Sequence, residues 1–278
     1  MTVAKAIPPQ APQPARERPA PSGTGAISIA SSSLDRLLAL LDIFTPERPT
    51  WTAERIRDVM PMSRATLYRY LQRLCAVGLL APTGSEGYRL GARIIELDRQ
   101  IRAGDPLLTH SYAVMSEFGK SFSGVLLLCS HYGDRVLCIH QEAADPTIKS
   151  SMERGRPFDL FRGAPSKAIL AHLPAHRLRR LLLYHGPDIR AAGLGETWPE
   201  FRERMKAIRE EGACVAYGEI DPTLIGIGAP IFSGPAEVAG SLTAVLSKAR
   251  FKPEMLEDLK TRIKTAAAQI SQRLMGTA

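Results

Sequence analysis

Apolar positions along the chain fall first into helical and later into strand spacing. Between residues 61 and 80 the stretch PMSRATLYRYLQRLCAVGLL places Leu67, Tyr70, Leu71 and Leu74 three and four apart, one apolar stripe on a helix of about four turns. Ser63 offers a hydroxyl cap, Pro61 prevents an earlier start, and Gly78 suits the left-handed residue that ends a helix. Ala65, Tyr68, Arg69, Gln72 and Ala76 point away from the stripe, with Thr66 and Arg73 on one flank. Two shorter helices are expected before it. The first is capped near Ser32, carries Leu34, Leu37, Leu38, Leu41 and Phe44 on one face, and is stopped by Pro46 and Pro49. The second, over 52–60, turns Ala53, Ile56 and Val59 inward. A strand at 79–82, a turn at 83–87 and a returning strand at 88–90 follow. Helix, helix, capped helix and hairpin make a winged helix-turn-helix.

Residues 92–104 form a helical stretch with a seam at Ile94, Leu97 or Asp98, and Ile101; it is either a rigid linker helix or a plain connector. Beyond Gly104 come more glycine, nearly all the lysine, and short strands alternating with longer helices. Strands are expected at 124–129, 135–141, 213–219, 225–232 and 238–246, and helices at 107–122, 163–173, 178–183, 198–211 and 253–275. The fold class is α+β, its second part a five- or six-stranded antiparallel sheet with helices on its faces. Residues 1–28 are expected to be a disordered Pro/Ala-rich tail, 29–91 the winged helix-turn-helix, 92–104 the linker and 105–278 the sheet domain.

A net charge of +8 and an isoelectric point near 9.5 favour an anionic partner, either nucleic acid or a membrane surface. Cys75, Cys129, Cys138 and Cys214 have irregular spacing, so neither a zinc site nor a disulfide framework is expected. With no signal-like leader and no run of membrane-span length, the expectation is a cytoplasmic protein with no membrane association.

The polar face of the 61–80 helix fits the DNA major groove, where arginine matches guanine, glutamine matches adenine, and hydroxyls reach bases or phosphates. From Leu34 to Arg102 there are eleven arginines, no lysine and eight acids, an excess of three positive charges. Ser63, Arg64, Ala65, Thr66, Tyr68, Arg69, Gln72, Arg73 and, on the hairpin, Arg89 are the candidate DNA contacts; the competing reading is a solvated face with surface ion pairs. In the second part His131, Cys138, His140, Glu142, Glu219 and Asp221 follow no spacing that a common mechanism requires. No nucleophile elbow, phosphate-binding glycine loop or metal pair is present, so no enzyme activity, metal or cofactor is expected.

The order of these motifs resembles the IclR-type transcriptional regulators from about Ser33 to Leu274. The resemblance rests on the helix at Leu34 to Phe44, MSRATLYRYLQRL, GYRLG at Gly87 to Gly91, the segment from Gly163 to Ala171 around Lys167, and GEIDP running into GIGAPI from Gly218 to Ile231. It implies a GAF-like C-terminal domain that binds a small-molecule effector and oligomerises as a homodimer or dimer of dimers on double-stranded operator DNA. Matched by residue, it implies an effector pocket of Thr147, Ser150, Gly163, Ala164, Ala216, Glu219, Leu224, Gly226, Val245 and Ser247, with Arg154, Arg156 and Arg162 near enough to hold an acid. The chain departs from the family at Pro165 and Ser166, where a small residue and glycine usually precede the lysine. It departs again over 158–162, and at Ala216 and Val245, which are acidic or hydroxylated in some relatives. These departures tilt the expected effector towards an aromatic or indolic acid; the function expected is control of a catabolic operon in response to a small organic acid. A constitutive DNA-binding protein whose second domain only oligomerises, or an enzyme with an appended winged helix, are the rival readings.

Overall fold

The computed structural model describes residues 32–84, 87–143, 145, 148 and 153–276. The expected tail, Thr147 and Ser150 lie outside the described residues. By contacts the chain divides into two compact units, Met1–Arg99 and Gln100–Ala278.

In the first unit α1 (Ser33–Ala39) opens with a capping box, Ser32 accepting from Asp35 N and the Asp35 carboxylate returning to Ser32 N. It is shorter than expected. The chain turns after Ala39, so Leu40 and Ile43 enter the core while Leu34 stays exposed, which corrects the apolar face assigned from spacing. β1 (Trp51–Thr52), absent from the sequence reading, precedes α2 (Ala53–Val59); Trp51 donates its indole N–H to Ile43 O at 2.9 Å. Ala53 and Ile56 are buried, but Val59 is exposed and Met60 takes the expected inward place. α3 (Arg64–Ala76) buries Leu67, Tyr70, Leu71 and Leu74 as the stripe requires, and Gly78 at φ +75° ends it. β2 (Leu80–Thr83) and β3 (Gly87–Leu90) form the wing, in a three-stranded antiparallel sheet with β1.

α4 (Arg93–Gly104) buries none of its residues, and the boundary between the units falls inside it. The second unit has α5 (Pro106–Gly119), β4 (Val125–Tyr132), β5 (Arg135–Ala143) and β6 (Pro157–Asp159). It continues with α6 (Ala164–Leu170), α7 (Ala175–Ala191), α8 (Trp198–Glu211), β7 (Cys214–Tyr217), β8 (Leu224–Gly234), β9 (Glu237–Ser247) and α9 (Leu256–Met275). The six strands run antiparallel in the order β6-β5-β4-β9-β8-β7. Alternation along β4 splits the core: Leu126 and Leu128 pack with α5 and α9, while Val125, Leu127 and Cys129 pack with α6, α7 and α8. α6 lies almost on the sheet because β8 is glycine-rich there; a Cβ on Gly228 would stand 3.0 Å from the Ala164 backbone.

Candidate functional site

Two sites emerge, one in each unit. On α3 the Ser63 hydroxyl accepts from Thr66 N at 3.2 Å and donates to Thr66 Oγ1 at 2.9 Å, so it is committed to the cap. Arg64, Ala65, Tyr68, Arg69, Gln72 and Arg73 are exposed on the face opposite the stripe, Thr66 is half-buried, and Arg89 is exposed on β3. The guanidinium of Arg64 lies 5.5 Å from the Tyr68 ring centre. Ala65, Tyr68, Arg69 and Gln72 share an open groove with Pro82 and Tyr88 of the wing. The helix thus presents cationic forks, an amide and small residues on a surface that its own unit leaves uncovered.

In the second unit a cavity opens on the α6 side of the sheet. Its floor is a row across three strands: Ala216 pairs with Gly226, and Gly226 with Val245. Gly163 and Ala164 wall one end, Leu224 flanks the row, and the β7–β8 loop, with Gly218, Glu219, Ile220 and Asp221, closes over it. Gly163 adopts φ +84°, a conformation that favours glycine, and Ile220 Cδ1 packs into the space that a Cβ would take, 2.5 Å from it. The free space is about 30 Å³, room for one or two waters.

The charge in this cavity is paired. Lys167, on the buried helix α6, places its ammonium 2.6 Å from Glu219 Oε1, and Gly163 N donates to Glu219 Oε2 at 2.9 Å. Asp221 accepts from Thr223 N and Oγ1 at 2.8 and 2.6 Å, bonds that hold its carboxyl below the usual carboxylate range and brace the loop. Burial pushes the nearby Cys214 thiol up to about 11.

The structure brings seven of the expected pocket residues together: Gly163, Ala164, Ala216, Glu219, Leu224, Gly226 and Val245. It does not bring Arg162, which is exposed, nor Ser247, whose hydroxyl accepts from Ala249 N at the end of β9. The sequence reading missed two residues. Thr243 lines the cavity fully buried, and its Oγ1 has no hydrogen-bond partner among the described residues. The alternation that selects Val245 also selects Thr243 on the same face. Lys167 is the other: the resemblance placed it at the centre of the segment from Gly163 to Ala171 but gave it no role in the pocket.

Among the described residues no group of His, Cys, Asp and Glu could hold a metal ion, and no helix is long and apolar enough to cross a membrane. The family model of the IclR helix-turn-helix domain matches residues 33–84, and that of the bacterial transcriptional regulator IclR C-terminal domain matches 106–272. The chain is 25% identical to the HTH-type transcriptional regulator KipR of Bacillus subtilis over 239 residues, 85% of this chain and 94% of that one. To KdgR of Escherichia coli it is 25% identical over 247 residues, 87% and 92% of the two chains. Its fold is similar to that of an IclR homolog from Microbacterium hydrocarbonoxydans solved in complex with 4-hydroxybenzoate, with TM-score 0.71, 21% identity, and 88% and 100% of the two chains covered. With the winged helix and the six-stranded domain matched in the same chain and in the same order, the protein belongs to the IclR family, DNA-binding transcriptional regulators and not enzymes.

Proposed function

We propose that this regulator responds to a small organic acid, aromatic in its body, and controls a catabolic operon that consumes that acid. The observation that carries the reading is the Lys167 ammonium, buried beside a cavity whose floor is otherwise apolar. The 4-hydroxybenzoate bound by the Microbacterium homolog supports the ligand class. The working division is a winged helix over 29–91 whose α3 enters the major groove, a linker helix over 92–104, and an effector and oligomerisation domain over 105–278. Ile95, Leu97 and Ile101 of α4 are exposed in this chain, which supports a homodimer and hence a palindromic or repeated operator. Regulation is linkage: an effector that favours one quaternary arrangement changes operator affinity by no more than its own difference in affinity, typically about 5- to 150-fold.

A mobility-shift titration on the DNA flanking the gene, at fixed salt, with and without aromatic and aliphatic acids, tests this. Wild type should shift the DNA, Arg69→Ala should bind about 5- to 100-fold more weakly, and one class of acid should move the midpoint. DNA binding unaffected by every acid would favour a constitutive binder.

A further inference from the structure

The cavity described above already contains a bound carboxylate, supplied by the chain itself. Glu219 uses both oxygens, one on the Lys167 ammonium at 2.6 Å and one on Gly163 N–H at 2.9 Å. That is the pair of donors an acid ligand would need. The Lys167 side chain is only 8% exposed, and a buried ammonium left without a counter-charge is strongly unfavourable, so an anion at this position stabilises the fold. Beyond those two bonds the resident is carried on a turn. Glu219 belongs to the six residues 218–223, tied among themselves and to their own strands by Gly218 N to Leu224 O at 2.9 Å, Leu224 N to Asp221 O at 3.0 Å and Thr223 to Asp221, and to the end of β9 by one bond, Lys248 N to Thr223 O at 2.8 Å. Its Ile220 side chain, 37% exposed, fills the space over Gly163.

We propose that Lys167 and Gly163 N–H are the receptor for the effector's acid group, and that Glu219 is an internal competitor which the effector displaces. This rests on the effector reading given above. One anion replaces another, so the exchange conserves charge in the buried site. The small free space is consistent with it, because an organic acid enters only as Glu219 and Ile220 leave. The ligand's apolar body then lies on Ala216, Leu224 and Val245. Binding is therefore the same event as displacement of the 218–223 turn, which makes that turn the first moving part of the response. Wild-type affinity is lowered by the fraction of chains in which Glu219 holds the receptor.

The test needs no knowledge of the natural effector. In Glu219→Ala the receptor is vacant, so acetate at tens of millimolar should raise the melting temperature well above the effect of equimolar acetamide. Wild type and Lys167→Met should show no such difference. Should Glu219→Ala fold poorly, the near-isosteric Glu219→Gln keeps the test open: it should bind 4-hydroxybenzoate about tenfold or more tightly than wild type, and 4-hydroxybenzamide no more tightly. Equal effects of acetate and acetamide, or weaker binding of the acid by Glu219→Gln, would overturn the exchange. Operator binding is read separately. An acid response in wild type combined with weaker acid binding by Glu219→Gln leaves the effector reading standing and makes Glu219 an ordinary contact. Acetate rescue without any acid effect on DNA supports the exchange and removes the proposed function.

Discussion

Thr243 is a single side chain whose burial at the cavity is costly to the free protein. Its hydroxyl is fully buried at the cavity and has no partner among the described residues, a state that costs about 1–3 kcal/mol relative to a satisfied group. Thr243→Val keeps the shape and removes the orphan. Thermal melts should therefore show the variant as stable as wild type or more so, while calorimetric titration with a hydroxylated aromatic acid should show affinity lowered several-fold. At this scale much was legible in the sequence. The cap at Ser63 and the buried stripe of α3 follow from local pattern alone, whereas the cavity floor was legible only through the family resemblance. Lys167 and Ser247 were not, for a common reason. The role of Lys167 depends on Glu219, 52 residues away, and that of Ser247 on how β9 ends, so neither is written in spacing along one element.

Elements were legible in proportion to their length. α8 (Trp198–Glu211) is found at its expected bounds, with Thr197 and Glu200 forming the capping box. The two- and three-residue strands β1 and β6 give too few positions for an alternation, and both owe their existence to pairing with a partner strand. α7 outlasts its expected 178–183 because the chain bends at His185 (φ −124°, ψ 26°), just before Pro187, and resumes helix instead of stopping. α4 carries the strongest prediction at this scale. Ile95 is 73% and Ile101 57% exposed on a helix with no buried residue of its own. Leu97 and Ile101, one turn apart, share a face, and seating it on a second copy would contribute about 25 cal/mol for each Å² of apolar surface covered. Ile101→Glu places a charge in that contact while losing nothing from the monomer core. Light scattering should show the mass shifting from dimer towards monomer at micromolar concentration, with the circular dichroism spectrum unchanged.

The whole molecule carries an asymmetry in titration. All six histidines, His110, His131, His140, His172, His176 and His185, lie in the second unit and none in the first. Three of them sit where the neutral ring is favoured. Burial lowers His131, with Arg177 adding to it and Asp134 opposing. It lowers His140 against the pull of Glu142, and His172 against the carbonyl of Ala168. For each, the unfolded chain, with an ordinary value near about 6.5, takes up a proton more readily than the folded one. The stability they permit is complete above that value and declines as pH falls through it towards the lowered folded values. Between pH 7.5 and 5.5 the second unit should therefore lose melting temperature, and the first should be spared this effect. The two tryptophans separate the units, since Trp51 is buried in the first core and Trp198 is the first residue of α8 in the second. In Trp198→Phe the fluorescence melt reports the first unit alone and should stay nearly constant across that interval. Trp51→Phe should report a transition that moves down with acid. Equal shifts in both variants would mean that the two units unfold as one cooperative block, so that protons taken up by the second destabilise the first through it.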